Sequence, residues 1–144
     1  MKKYKELVDA AISAREMAYT PYSNFNVGAA LLTKDGKIYQ GCNIENATYT
    51  PTNCAERTAF FKAVSEGERE FTAIAIVGAK SGESISEICP PCGVCRQVMM
   101  EFCKPEDFEI VLAKSPEEWE VYTLLELLPL GFSSSNLSEA GNLK

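Results

Sequence analysis

Two cysteine-containing segments of this chain carry residue types that bind metals and move protons. Cys54-Ala55-Glu56 and Pro91-Cys92-Gly93-Val94-Cys95 each stand where a polar loop gives way to a helical pattern. Helix N-termini favour negative charge and thiolates are zinc ligands, so Cys54, Cys92 and Cys95 are predicted to converge on one metal ion. Three protein ligands leave the fourth tetrahedral position open to water, as in catalytic zinc sites.

Glu56 follows the first of these cysteines by two residues and is predicted to be the catalytic proton carrier. The chain contains no histidine. Acid–base chemistry near neutral pH must therefore use a carboxylate, a thiol, or a lysine or tyrosine with a shifted pKa. Glu56 is placed to take a proton from water at the metal and pass it to a leaving nitrogen. The alternative is a glutamate that only favours the first turn of a helix.

Two arginines and one further cysteine bear on the predicted metal site. Three thiolates exceed the charge of one zinc ion, and Arg57 and Arg96 are predicted to donate hydrogen bonds to sulfur and spread that charge. Ordinary surface arginines are the alternative. Cys89 leaves two further possibilities open. It is either a fourth ligand that makes the site structural or, in Cys89-Pro90-Pro91-Cys92, half of a thiol redox pair.

The remaining segments supply the elements that must position these residues. Strand patterns cover residues 25–33, 37–42, 71–77, 108–113 and 119–123, and helical patterns cover residues 4–18, 54–65, 93–102 and 124–128. Strands alternating with helices predict a three-layer α/β/α domain with a central mixed five-stranded sheet. We predict a single domain over residues 1–132 and a polar, flexible C-terminal tail over residues 133–144.

Length and charge narrow the classes of partner. A chain of 144 residues fits one domain, and its net charge of −6 argues against a nucleic acid, which usually requires a basic stripe. The longest apolar run, around Ala73 to Ala79, is too short to span a bilayer, and no secretory signal is recognised. We therefore predict a cytoplasmic protein with reduced cysteines, a small-molecule substrate and no membrane partner.

Five segments spread along nearly the whole chain form a recognisable pattern. In order, they are Tyr22-Ser23-Asn24-Phe25-Asn26-Val27-Gly28-Ala29-Ala30, Gly41-Cys42-Asn43-Ile44-Glu45-Asn46-Ala47, Cys54-Ala55-Glu56-Arg57-Thr58-Ala59, Pro91-Cys92-Gly93-Val94-Cys95-Arg96-Gln97, and Leu127-Leu128-Pro129 with Phe132. Together they resemble the small homotetrameric cytidine deaminases, within the class of zinc nucleobase deaminases. The resemblance implies one zinc ion per chain. It also implies hydrolytic deamination of cytidine and deoxycytidine to uridine and deoxyuridine, with release of ammonia.

The resemblance also implies roles for residues outside the cysteine pattern. Asn43 and Glu45 would hold the ribose hydroxyls, and Phe25 would pack on the pyrimidine. The backbone of Ala55 and the carbonyl of Pro91 would contact the base. The ordinary alternatives are a core position for Phe25 and the capping of loop amides by Asn43 and Glu45.

Two parts of the resemblance concern a neighbouring subunit. Phe132 is implied to reach the site of another copy in a homotetramer. The loop after Ala47 departs from the family's pattern, because a glycine is expected after Tyr49 and the chain instead has Thr50-Pro51-Thr52-Asn53. Proline fixes its own φ and restricts Thr50, so the course of this loop and any contact of Tyr49 do not follow from the resemblance.

Other functions stay open at this point. A related deaminase would act on a nucleotide, an aminated nucleoside antibiotic or a polynucleotide. A carboxylate beside the sugar is a poor host for phosphate, and the acidic balance disfavours a polynucleotide. A structural zinc module predicts four protein ligands and no water position. A thiol–disulfide protein predicts no zinc and a reversible bond between Cys89 and Cys92.

Overall fold

A computed structural model of the chain describes residues 3–137. The strands are β1 (Phe25–Thr33), β2 (Ile38–Cys42), β3 (Phe71–Lys80), β4 (Glu109–Ser115) and β5 (Glu118–Thr123), and the helices are α1 (Lys5–Arg15), α2 (Ala55–Ser65), α3 (Gly93–Phe102) and α4 (Leu124–Leu127). They build one sheet in the order β2-β1-β3-β4-β5. β3 and β4 run parallel and all other neighbours run antiparallel. The predicted mixed five-stranded sheet is confirmed.

Helices cover both faces of this sheet. Successive strand residues point to opposite faces, so alternate residues of β1, β3 and β4 meet different helices. On one face α1 packs Val8 and Ala11 against small and branched side chains such as Ala75. On the other face α2, α3 and α4 pack around larger side chains such as Phe60 and Ile76. The predicted three-layer α/β/α arrangement is therefore present, with the apolar β3 buried between two layers.

The strand directions gather the predicted site at one edge of the sheet. β1 starts where β3 ends, because the two strands are antiparallel and Phe25 pairs with Lys80. β2 ends near the same place, where Cys42 pairs with Gly28 of β1. Ligands of open α/β sheets bind outside the carboxyl ends of the parallel strands, and this is the carboxyl end of β3.

Gly41 of β2 allows α2 to pack closely on the sheet. A Cβ atom at this position would lie 2.4 Å from the carbonyl oxygen of Ala55 and 2.6 Å from the backbone nitrogen of Ala59. Real side chains do not tolerate such contacts with backbone atoms. The absence of a side chain at Gly41 therefore sets the position of the first turn of α2, which carries Glu56.

The end of α1 differs from the sequence-based prediction. The helix was predicted over residues 4–18, but it ends at Arg15. The chain then continues in tighter turns, because the backbone nitrogens of Glu16, Met17 and Ala18 donate to carbonyls only three residues earlier. β3 is longer than predicted and continues to Lys80, since its pairing with β1 extends to Phe25.

The C-terminal residues are only partly described. Ser134–Asn136 form a short 3-10 helix, and the side chain of Ser133 accepts a hydrogen bond from the backbone nitrogen of Ser135. These polar side chains cap a turn at the start of the predicted flexible tail. Residues 138–144 of that tail lie outside the described residues. Within residues 3–137, no helix combines the length and apolar character needed to cross a bilayer.

Candidate active site

Three cysteines bring their sulfur atoms together at the starts of α2 and α3. The Sγ atoms of Cys54 and Cys92 are 3.7 Å apart, and those of Cys92 and Cys95 are 3.5 Å apart. All three Sγ atoms lie within 4.8 Å of one another. Zn–S bonds of about 2.3 Å at tetrahedral angles separate two sulfur atoms by about 3.8 Å. The spacing of the three thiols therefore fits a single zinc ion.

The helix starts leave these sulfur atoms available to a metal. Cys54 and Cys92 are the N-cap residues of α2 and α3, with extended backbone conformations, and neither side chain caps its own helix. A hydrogen bond from the Cys95 thiol, assisted by Arg57, lowers the pKa of Cys54 to about 5. Cys54 is consequently a thiolate at neutral pH, the form that binds metals.

The two predicted arginines have different partners. Nη2 of Arg57 lies 3.2 Å from Sγ of Cys54, so this guanidinium faces a sulfur of the group. Arg96 makes no such contact: its Nε donates to the carbonyl oxygen of Pro91 at 2.8 Å and its Nη1 to that of Leu127 at 2.5 Å. Neighbouring residues of a helix point about 100° apart, so Arg96 turns away while the preceding cysteine faces inward. Arg96 was predicted to donate a hydrogen bond to sulfur. In the structure it instead holds α3 against α4.

Glu56 is a buried carboxylic acid beside the three sulfur atoms. Only 4% of its surface is exposed. Burial raises the pKa of Glu56 to about 7, because a charged carboxylate loses its hydration, and the nearby Cys54 thiolate also raises it. A group with a pKa near 7 both accepts and donates a proton efficiently at neutral pH. This behaviour is what the predicted proton carrier requires.

Cys89 lies close to this site but outside the sulfur group. Among the described residues, the group that fits one metal ion contains only the other three cysteines. Burial raises the pKa of Cys89 to about 11, and the charges of Glu56 and Cys54 act in the same direction. Cys89 is therefore a protonated thiol in the metal-free protein, and its sulfur stands apart from the group of three. This arrangement disfavours a closed structural site with four protein ligands.

Asn43 follows β2 and uses its side chain to hold the start of β1. Its Oδ1 accepts a hydrogen bond from the backbone nitrogen of Val27 at 2.9 Å, and its Nδ2 donates to the carbonyl oxygen of Phe25 at 2.8 Å. The side-chain amide has further hydrogen-bonding capacity beyond these two bonds. Asn43 thus positions Phe25 whether or not it also meets a ligand.

Replacing Asn43 with alanine is expected to lower the free energy of unfolding by about 2 kcal/mol, since two hydrogen bonds contribute about 1 kcal/mol each. Urea unfolding of the variant and the parent measures this difference. Asn46→Ala is the matched control, because the Asn46 side chain accepts two hydrogen bonds from Thr48 within its own exposed loop. Equal losses in the two variants would contradict the assigned role of Asn43.

Glu45 fastens the loop that leads into β1. Its carboxylate accepts hydrogen bonds from the backbone nitrogens of Tyr22 at 3.0 Å and Ser23 at 3.1 Å, and from the Ser23 hydroxyl. These bonds lower the pKa of Glu45, so it is ionised at neutral pH. The structure brings Glu45, Asn43 and Phe25 to the same edge of the sheet, as the resemblance implies.

The two predicted aromatic contacts lie in different surroundings. Phe25 is 38% exposed at the start of β1, with one ring edge against β3 at Gly78. It is not a core residue. Phe132 is 55% exposed, and its carbonyl oxygen accepts a hydrogen bond from the side chain of Gln97 on α3. Its ring is therefore directed to the surface.

Comparison with known proteins identifies the family. Residues 1–110 match the family described as the cytidine and deoxycytidylate deaminase zinc-binding region. The chain belongs to this deaminase family. A cytidine deaminase of Sporosarcina psychrophila is 51% identical over 136 residues, which cover 94% of this chain and 96% of the relative. Zinc is the metal of this family, and Cys54, Cys92 and Cys95 are the residues grouped to hold it.

Solved structures and more distant relatives agree with this membership of the deaminase family. The crystal structure of cytidine deaminase from Burkholderia pseudomallei is 50% identical and superimposes with a TM-score of 0.82, covering 91% of this chain and 100% of that chain. A blasticidin-S deaminase of Bacillus cereus is 32% identical over 131 residues, which cover 89% of this chain and 91% of the relative.

The loop that departs from the pattern of this deaminase family closes on itself. Tyr49 adopts a left-handed conformation with φ of 65°, whereas the φ of Thr50 is not positive, so position 50 does not require glycine. The backbone nitrogen of Asn46 donates to the Thr52 hydroxyl, which spans the loop beside Pro51. The Tyr49 ring meets that of Tyr22 edge to face, with centroids 6.1 Å apart. The sequence alone did not indicate this aromatic contact.

Thr58 was also missed as a residue that positions the deaminase site. Its hydroxyl lies 3.0 Å from the carbonyl oxygen of Cys42 and 3.1 Å from that of Cys54, and it accepts a hydrogen bond from the Asn53 side chain. Thr58 therefore ties the end of β2 to the turn that presents the first cysteine. The available clue was a threonine four residues after Cys54, where its hydroxyl can bond back along the helix.

Proposed function

We propose that the chain is a zinc-dependent cytidine deaminase that converts cytidine and deoxycytidine, with water, to uridine and deoxyuridine and ammonia. The observation that carries this proposal is the buried carboxylate of Glu56 next to three convergent sulfur atoms. Relatives named cytidine deaminase that share about half of its residues support the choice of substrate.

Cys54, Cys92 and Cys95 would hold one zinc ion per chain and leave one coordination position open. Zinc in such a site polarises a water molecule and lowers its pKa. Arg57 donates toward the Cys54 sulfur and offsets part of the excess negative charge of the thiolates. This chain thus uses cysteine and arginine, and no imidazole, to set the charge of the site.

Glu56 carries the protons of the reaction. Its carboxylate takes a proton from the attacking water as oxygen bonds to C4 of the pyrimidine. The same side chain delivers this proton to the ring nitrogen. It then takes the remaining proton of the hydroxyl group on C4 and passes it to the amino nitrogen, so that the C4–O bond becomes a carbonyl, the C4–N bond breaks and ammonia leaves. The pKa of about 7 allows Glu56 to serve as acceptor and donor in turn.

The substrate contacts follow from the residues gathered around Phe25. The ring face of Phe25 suits a planar base, and the backbone of Ala55 would contact it from the start of α2. The carbonyl of Pro91 is only an acceptor, so it would meet the amino group of cytosine with the lone pair that Arg96 leaves free. Asn43 and Glu45 would bind the ribose hydroxyls.

Glu45→Ala is expected to weaken the use of cytidine about tenfold or more and the use of free cytosine much less. A hydrogen bond to a charged group contributes about 1.5–3 kcal/mol, and only the nucleoside presents hydroxyls to this carboxylate. The measurement is kcat/KM for both substrates. Ser23→Ala is the control, because it removes one contact of the carboxylate but keeps the charge. Equal losses on both substrates would show that Glu45 does not bind the sugar.

The alternative substrate is an aminated nucleoside antibiotic or a nucleotide, which the 32% identical blasticidin-S deaminase keeps open. One experiment decides between these functions and a structural zinc module. Metal analysis of the purified protein is combined with ammonia release from cytidine, deoxycytidine, cytosine, deoxycytidine monophosphate, blasticidin S and adenosine. The proposal expects one zinc per chain and the highest rates with the two cytosine nucleosides. Zinc without ammonia release from any compound would support the structural module.

We also propose a homotetramer with shared sites. Large apolar side chains are exposed at Met17, Tyr19, Tyr49, Phe61, Val94, Leu130 and Phe132. Burying such side chains between subunits would remove apolar surface from water, and Phe132 would reach the site of a neighbour. Sedimentation equilibrium of the parent tests the number of subunits. A cytoplasmic location is proposed as well, because reduced thiols persist there and all six cysteines are free.

A further inference from the structure

Gly78, near the carboxyl end of β3, has no room for a side chain. A Cβ atom there would lie 2.7 Å from Sγ of Cys89, 3.0 Å from Cβ of Cys89 and 3.0 Å from Cε2 of Phe25. Gly78 is buried and pairs with Val27 of β1, so its backbone is held by the sheet on that side. Glycine weakens a strand interior, and its presence there marks the close approach of other atoms.

The two side chains that rest on Gly78 come from distant parts of the chain. Phe25 begins β1, and Cys89 belongs to the loop that leads to Cys92. Sγ of Cys89 and Cε2 of Phe25 lie 2.7 Å and 3.0 Å from the position that a Cβ atom of residue 78 would occupy. The two atoms are therefore at most about 5.7 Å apart. The Cys89 thiol also lies near Glu56, and the charge of that carboxylate contributes to the raised pKa of Cys89. Cys89 therefore adjoins both the proposed base-stacking ring and the proton carrier.

We propose that Gly78 and Cys89 are positioning residues that hold the Phe25 ring at the depth required by a pyrimidine base. This proposal rests on the proposed function. The bare backbone of Gly78 lets the ring and the thiol settle against β3. A methyl group at position 78 displaces both, and the ring then moves into the space of the base.

The expected signature is a change in KM without a matching change in kcat. Glu56 and the three sulfur atoms lie on α2 and α3, and a methyl group on β3 does not alter their spacing directly. Gly78→Ala is expected to raise KM for cytidine about tenfold, the scale of a modest overpacking, with kcat within about threefold of the parent. Zinc content should stay at one per chain.

Cys89→Ala tests whether residues 78 and 89 act together, because it removes Sγ, the atom nearest to the methyl group added at position 78. In the double variant Gly78→Ala with Cys89→Ala, the new methyl group takes the space of Sγ, and most of the rise in KM should disappear. Ile76→Val is the matched control for stability. It lies two residues earlier on the same strand, is fully buried, and should lower the Tm without raising KM.

The parent protein is measured first, so that a failure of the proposed function can be distinguished from a failure of the positioning role. A zinc-loaded parent that releases no ammonia from cytidine overturns the proposed function. With an active parent, a KM for Gly78→Ala within twofold of the parental value overturns the positioning role. A rise that Cys89→Ala does not relieve also overturns it. If Gly78→Ala does not fold, a folded double variant with near-parental KM supports the proposal, and a double variant that also fails to fold overturns it.

Discussion

Glu56→Gln is expected to reduce the turnover of cytidine by at least about 10²- to 10⁴-fold while the protein keeps its zinc. Glutamine preserves the size and shape of the side chain but does not accept and return a proton. The chain has no histidine to substitute for it. Because one carboxylate serves both water activation and protonation of the leaving group, the loss should lie toward the upper end of this range.

Zinc content, ligand affinity and deamination rate should be measured on one preparation of the Glu56→Gln variant. Zinc should remain because all three sulfur atoms are untouched, and uridine should bind because its contacts lie elsewhere. Glu106→Gln is the control, since Glu106 is exposed in the turn before β4, far along the sheet from the site. A rate within about tenfold of the parent, with zinc retained, would mean that Glu56 is not the proton carrier.

Cys92→Ser is expected to abolish stoichiometric zinc binding and, with it, deamination. A serine hydroxyl stays protonated at neutral pH and is a much weaker zinc ligand than a thiolate, so only two protein ligands remain. Cys92 is exposed and contributes little to the core, so the variant should still fold. Metal analysis after dialysis, together with circular dichroism, separates loss of zinc from loss of structure.

Cys89→Ser is the matched control for this experiment. It makes the same chemical change three residues away, at a thiol outside the group of three. This variant should retain one zinc per chain. If it lost as much zinc as Cys92→Ser, the site would have four protein ligands and the open position required for hydrolysis would not exist.

The sequence predicted those features that depend on local pattern. Within the described residues, alternating and helical periods located all five strands and the four α-helices, because burial on one or two faces imposes those periods. The three thiols were also predictable. Cys54 and Cys92 each stand at the junction of a loop and a helix, and Cys95 lies three residues after Cys92, so that the two can share one metal.

Contacts between distant segments were not predictable in the same way. Arg96 follows a metal-binding cysteine, yet it contacts the carbonyl of Leu127, whose position depends on how α4 packs on α3. The approach of Phe25 and Cys89 to Gly78 depends on the pairing of β1 with β3 and on the course of a loop. Such contacts leave no periodic pattern of residues in the sequence.

The origin of the three sulfur atoms on two separate helices, α2 and α3, has a consequence for the order in which the protein folds. Cys92 and Cys95 are neighbours on one helix turn and meet as soon as α3 forms, whereas Cys54 is 38 residues away from Cys92. Contacts across long loops form slowly, because chain entropy is lost before they stabilise anything. The third sulfur therefore arrives only after α2 and α3 dock on the same face of the sheet. We expect zinc capture to be a late kinetic event, and we expect the sheet to form at an unchanged rate when the protein refolds without metal.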